Sequence, residues 1–267
     1  MHVGDVLADL TAEQQALDAV VATLAPEAWM TPTPSPRWSV ADQIGHLTYF
    51  DTTATLAITY PAAFVDHRTE LISAFADQLA VDAATLGAFR TLSADRQLDA
   101  WRAARTGLAD AAGRLADGDR VEWYGPSMSA TSFLTARLME CWAHGHDVVD
   151  AVAGERPDTD RLRHIAQLGV ITRGWSYVVR GEAPPDTPVR VELDAPSGAV
   201  WEWGPADAAD RVSGPAGDFC RVVTQRRHVT DTALTVTGPA AYDWMAKAQA
   251  FAGAPTTGPA PSSTRSA

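Results

Sequence analysis

Apolar residues at Val3, Val6, Leu7, Leu10, Leu17, Val20, Val21 and Leu24 recur in steps of three and four. That spacing gives a helix with one apolar stripe, and a stripe of this length must be covered by other helices. The same period returns three times. After Thr31 to Arg37 (TPTPSPR), where three prolines remove backbone donors and force their predecessors extended, Ser39 offers an N-cap with Asp42 three residues on. Val40, Ile44, Leu47 and Ala54 then form the stripe of a second helix. Ser93 to Leu115 predicts a third, on Leu98, Trp101, Ala104 and Leu108, and Thr131 to Val152 a fourth. Four long amphipathic helices imply a bundle, in which sites are built from inward-facing side chains of neighbouring helices. Pro61 ends or kinks the second helix, and the stretch from there to Phe89 reads as an irregular, mostly helical excursion.

Beyond Gly154 the pattern changes. A helical run from Leu162 to Val179 precedes two alternating segments, Val189 to Asp194 and Val200 to Trp203, separated by the turn-forming Pro196-Ser197-Gly198. A helix over Phe219 to Arg227, a strand over Ala233 to Thr237 and a helix over Ala241 to Phe251 complete an α+β reading. The expected organisation is a helix bundle over 1–156, a small α+β domain over 157–253 and a disordered Pro-, Ser-, Thr- and Gly-rich tail over 254–267.

The 33 acidic and 21 basic residues leave a net charge of -12, which argues against a phosphate backbone or an anionic membrane as partner. Cys141 and Cys220 match no CxxC spacing, so neither a disulfide framework nor a thiolate zinc knuckle is indicated. With no signal-peptide pattern and no apolar run long enough for a membrane span, a cytoplasmic protein is expected. No heptad seam favours one assembly state, and a monomer or a homodimer fits equally.

Chemistry concentrates on the fourth helix. Glu140 and His144 lie four residues apart and so stack one turn above the other, with Arg137 and Asp147 extending the row. Beside them run Leu134, Leu138, Cys141, Gly145, Val148 and Val152. Ionisable groups at the edge of a buried stripe need partners, and a divalent cation is one way to supply them. By itself the pair fits a solvated salt bridge equally well. On the second helix His46 sits beside the apolar stripe, where a core histidine bonded to a carbonyl is the alternative to a ligand. Asp51 and Asp147 stand where a carboxylate would orient an imidazole, or would pair locally.

Two runs decide between these readings. Trp38-Ser-Val-Ala-Asp-Gln-Ile-Gly-His46-Leu, followed by Glu140-Cys-Trp-Ala-His144-Gly-His-Asp147, resembles the DinB-like mycothiol-dependent maleylpyruvate isomerase family, over the whole first domain. Val212 to Pro215 and Asp218 to Arg227 are similar, less closely, to the small α+β domain that many members carry. The resemblance implies that His46, Glu140 and His144 bind zinc or another divalent metal. It further implies that mycothiol, a low-molecular-weight thiol, is the cosubstrate for a small electrophile, and that Arg226 or Arg227 meets the thiol or substrate; Arg137, in the row of Glu140 and His144, is a further candidate for that contact. Two imidazoles and a carboxylate leave one tetrahedral position open, as in catalytic rather than structural zinc sites. The expected function is thus a thiol-dependent metalloenzyme working by isomerisation or by thiol transfer. The alternative from another class is a non-catalytic metal-binding or ligand-sequestering protein.

Overall fold

The computed structural model describes residues 2–73 and 78–262, which form two compact units, Met1–Arg156 and Pro157–Ala267.

In the first unit, α1 (Val3–Val21), α2 (Val40–Thr59), α5 (Ala94–Ala112) and α6 (Ala130–Val152) form the bundle, with α2 packed on α5 and α6, and α1 on α6. Their stripes meet in a core that includes Leu17, Val21, Ile44, Leu47, Trp101, Cys141 and Val148, all buried. The start of α2 is set by a reciprocal cap: the Ser39 hydroxyl accepts from the Asp42 N–H, and the Asp42 carboxylate accepts from the Ser39 N–H at 3.0 Å. The preceding Pro-rich stretch is itself pinned, since Pro32 and Ser39 form an isolated bridge and Val40 N–H donates to Thr31 C=O at 3.0 Å. A side-chain cap from Ser129 starts α6, and Ala153, left-handed at φ 49°, ends it.

The excursion after α2 resolves into α3 (Pro61–Ser73) and α4 (Gln78–Leu86), both packed against α2. Pro61 opens α3, because proline's fixed φ suits a first helical turn. Residues 74–77 of this excursion lie outside the described residues. Two short strands, β1 (Arg120–Val121) and β2 (Met128–Ser129), pair antiparallel across the linker before α6.

The second unit holds the sheet β4–β3–β5–β6, from β3 (Val189–Asp194), β4 (Val200–Trp203), β5 (Asp210–Pro215) and β6 (Thr235–Thr237). β3 pairs antiparallel with β4, in the register Leu193 to Trp201, and parallel with β5, in the register Val191 to Val212. The expected helical run from Leu162 divides into α7 (Leu162–Ile171) and α8 (Arg173–Val178) at Thr172, whose hydroxyl donates to Leu168 C=O at 2.7 Å. α9 (Ala216–Val223) packs on α7 and on the sheet, and α10 (Pro239–Lys247) closes the unit. Gly169 permits the close approach of α7 and α9: a Cβ there would come within 3.0 Å of Phe219 and Val223 side chains.

Two expectations need correction. The helix from Phe219 stops at Val223, because Gln225 is left-handed at φ 59°; Arg226 and Arg227 therefore sit in a turn, their N–H groups donating to Arg221 C=O. β5 was not anticipated. Residues 254–262 are irregular chain, with Gln225 Nε2 donating to Thr256 C=O at 3.0 Å and Ser262 N–H to the Asp231 carboxylate at 2.9 Å. Residues 263–267 lie outside the described residues. Among the described residues no helix is long and apolar enough to cross a membrane.

Candidate metal centre

Because α2 packs against α6, the middle of α2 faces the second half of α6, and His46 meets Glu140 and His144 there. One ligand atom from each of the three lies within 4.8 Å of the others. Glu140 Oε2 is 3.1 Å from His144 Nε2 and 3.6 Å from His46 Nε2, and the two imidazole rings are 4.2 Å apart. The side chains keep 15% (His46), 24% (Glu140) and 11% (His144) of their exposure, so the cluster is mostly dry with one accessible edge.

Burial pushes the His46 imidazole down to about 3, with the neighbouring His144 adding to the shift. Burial alone would raise the Glu140 carboxyl, but the hydrogen bond from His144 and the nearness of His46 outweigh it and hold the group well below its ordinary range. At neutral pH the centre therefore presents a neutral imidazole and an ionised carboxylate, the protonation states a metal requires. The buried His46 Nε2 has no hydrogen-bond partner. An orphaned imidazole nitrogen aimed at a carboxylate oxygen and a second imidazole nitrogen is a donor set short of one cation, and the three residues fit a divalent metal.

Other side chains close around it. The Trp38 ring lies 5.0 Å from His46 and stacks at 5.8 Å over His144, while Phe50, one turn after His46, packs on it at 4.6 Å. Trp38 opens the run that carries the resemblance, and Phe50, three residues beyond its end, is a contact the sequence reading missed. Gln43 was also missed: it is fully buried, lies three residues before His46 and bonds His144 Nδ1 at 2.6 Å. His67 lies between two phenols, its Nε2 at 3.1 Å from the Tyr49 hydroxyl and 3.2 Å from that of Tyr124.

The remaining sequence candidates divide. Asp147 is near the site, 3.9 Å from His144 Nδ1, and accepts from the Ser35 hydroxyl at 3.0 Å. Asp51 is committed elsewhere: it accepts from Arg137 Nη2 at 3.1 Å and from Gln14 Nε2 at 3.0 Å. Arg137 is buried with it and lies 5.9 Å above the Phe50 ring. Arg226 and Arg227 belong to the second unit, where they donate to Thr224 C=O and Arg226 C=O. His146 is buried edge-on against Trp142 at 4.2 Å and is not part of the cluster. Burial raises both cysteine thiols, Cys141 and Cys220, far above their ordinary range.

Residues 10–149 match the family described as Mycothiol maleylpyruvate isomerase N-terminal domain. The chain belongs to this family. Residues 185–237 of this mycothiol maleylpyruvate isomerase family member match a second family, described as Wyosine base formation. Two proteins from two strains of Mycobacterium tuberculosis, both described as uncharacterized, are each 45% identical over 258 residues, covering 96% of this chain and 98% of their own. Two crystal structures of mycothiol-dependent maleylpyruvate isomerase, one of them a point mutant, align at a TM-score of 0.60 over 90% of this chain and 96% of theirs. At 15% and 16% identity, what they share with this family member is the fold.

Proposed function

We propose that this chain is a zinc-dependent enzyme that uses a low-molecular-weight thiol, mycothiol, against a small electrophilic substrate, by isomerisation through reversible thiol addition or by thiol transfer. The observation that carries this reading is the convergence of His46 Nε2, His144 Nε2 and Glu140 Oε2 with the first of these left without a hydrogen bond. A zinc ion held by the three would supply the Lewis acidity that brings a thiol to its thiolate at neutral pH.

The chain's own groups support the same reading. Glu140, ionised, and His46, neutral, hold the charge and lone pairs that such an ion needs. Trp38 and Phe50 flank the imidazoles with ring faces and keep water from their sides. Neither cysteine is available as a nucleophile, since both are buried and held as thiols. A thiol reaction here thus calls for a sulfur supplied from outside, and the family to which the chain belongs is named for one.

The test has two arms. Elemental analysis of purified wild type and His46→Ala is expected to find zinc in the first only. Zinc-loaded wild type mixed with mycothiol and a panel of small electrophiles, maleylpyruvate among them, is expected to give thiol-dependent isomers or adducts that His46→Ala does not. Zinc binding without thiol-dependent turnover would favour a metal-binding or ligand-sequestering protein instead. Turnover that survives His46→Ala would sink the catalytic reading.

A further inference from the structure

We infer that Gln43 is a positioning residue for the metal centre, and that a hydrogen-bond chain running from the Trp38 carbonyl through Thr33 and Gln43 sets the tautomer of His144 so that its Nε2 lone pair faces the proposed ion. This deepens the zinc reading above and rests on it.

The chain can be followed one proton at a time. The Thr33 hydroxyl donates to Trp38 C=O at 2.9 Å, which uses its only hydrogen. Thr33 Oγ1 can then only accept from Gln43, 2.8 Å away, so the Gln43 atom facing it is the amide nitrogen. The other end of the amide, 2.6 Å from His144 Nδ1, is therefore the carbonyl oxygen, an acceptor with no proton to give. His144 Nδ1 must be the donor. The second acceptor on that side, Asp147 Oδ2 at 3.9 Å, favours the same assignment. In a neutral imidazole a proton on Nδ1 leaves Nε2 with the lone pair. Nε2, which bonds Glu140 Oε2 at 3.1 Å in the metal-free chain, is the nitrogen that would turn its lone pair to an ion.

This is the tautomer that imidazole disfavours in water, so something must hold it, and the sequence places the parts to do so. Gln43 is three residues before His46 on α2, so one helical turn presents an amide and an imidazole to α6 together. Thr33 is fixed by the pinned Pro-rich loop, where its own N–H also donates to Trp38 C=O at 2.8 Å. The loop that carries Trp38 over the imidazoles thereby also anchors the amide beneath one of them. Outer groups of this kind fix ring orientation and raise ligand basicity.

The test reads zinc affinity and the imidazole proton separately. Zinc alone, titrated into metal-free protein against a chromophoric chelator, is expected to bind Gln43→Leu about 10- to 100-fold more weakly than wild type. Gln43→Glu, which keeps an acceptor facing Nδ1, is expected to restore most of the affinity, an outcome that a merely space-filling role for Gln43 would not give. Thr33→Val, which cuts the chain outside the buried core and frees the amide to flip, is expected to weaken zinc in the same direction and covers the case in which Gln43→Leu fails to fold. Nitrogen-15 imidazole spectra of the metal-free wild type are expected to show His144 protonated at Nδ1. An Nδ1 without a proton in that spectrum, or unchanged zinc affinity in Gln43→Leu and Thr33→Val, overturns the inference. Wild type that takes up no zinc while showing the Nδ1 proton sinks the metal reading and leaves the hydrogen-bond chain standing.

Discussion

His144 and Glu140 lie one turn apart on α6 with Nε2 and Oε2 separated by 3.1 Å, and His46 brings a third lone pair to within 3.6 Å of the same oxygen from α2. In the metal-free chain the Glu140 carboxylate takes a hydrogen bond from His144 that helps hold it ionised, while His46 Nε2 is left without a partner. Glu140→Gln is therefore expected to make the metal-free fold less stable than wild type at neutral pH, because the charge-assisted bond is lost. It is also expected to lose zinc. With free zinc at roughly 100 times Kd, wild type gains about 2.7 kcal/mol and the variant nothing. Thermal unfolding with and without zinc reads both effects.

The same centre makes the metal-free protein acid-labile. His46 titrates at 6.5 in the unfolded chain, whereas burial first and His144 second depress it to about 3 in the fold. Between those values the unfolded chain binds the extra proton, so stability falls as pH drops from 6.5 toward 3, by at most about 1.4 kcal/mol per pH unit for this one group. Glu140, held below its ordinary 4.5, adds a loss of the same sign at still lower pH. Urea midpoints of metal-free protein between about pH 8 and about pH 5 are expected to fall for wild type and to flatten in His46→Gln. An equal slope in both would place the proton uptake elsewhere.

Gly145, next to His144, is there for Arg156. A Cβ at 145 would approach the Arg156 guanidinium carbon to 2.8 Å. That guanidinium donates to Trp142 C=O at 2.6 Å and pairs with Glu13 of α1 at 3.1 Å, with both side chains buried. Gly145→Ala is expected to push Arg156 off both partners and to cost about 3–5 kcal/mol, as breaking a buried ion pair does. Arg156→Met should cost a similar amount, and combining it with Gly145→Ala should add little, because the same contact is lost only once. Equilibrium denaturation of the two single variants and the double variant checks this.

What could be read from the residues followed the periodicity. The stripes of α1, α2, α5 and α6 repeat over enough turns to declare themselves, and His46 was noticed because it borders one of them. Gln43 escaped because an amide at an internal helical position looks like any solvated polar residue until its neighbour across the interface is known. The short β5, with Gly214 and Pro215 at its end, owes its strand state to parallel pairing with β3, a long-range effect that local propensity does not carry. Arg226 and Arg227 looked helical because the turn at Gln225 is made by a non-glycine residue in a left-handed conformation.

Arg137 extends the row of Glu140 and His144, which made it a candidate contact for thiol or substrate, yet its guanidinium is spent on Asp51 inside the α2–α6 interface, with side-chain exposures of 4% and 3%. A buried carboxylate that also holds Gln14 has no other cation to turn to among its bonds here. Arg137→Met is therefore expected to cost about 3–5 kcal/mol by stranding Asp51, whereas Arg137→Met combined with Asp51→Leu should recover most of the loss, since apolar groups of similar volume can replace a buried pair. Denaturation measures that half of the argument. The thiol KM of the stabilised double variant measures the other half: a value near wild type leaves Arg137 a strut between α2 and α6, and a raised KM with unchanged zinc content gives it the substrate contact that its place in the row first suggested.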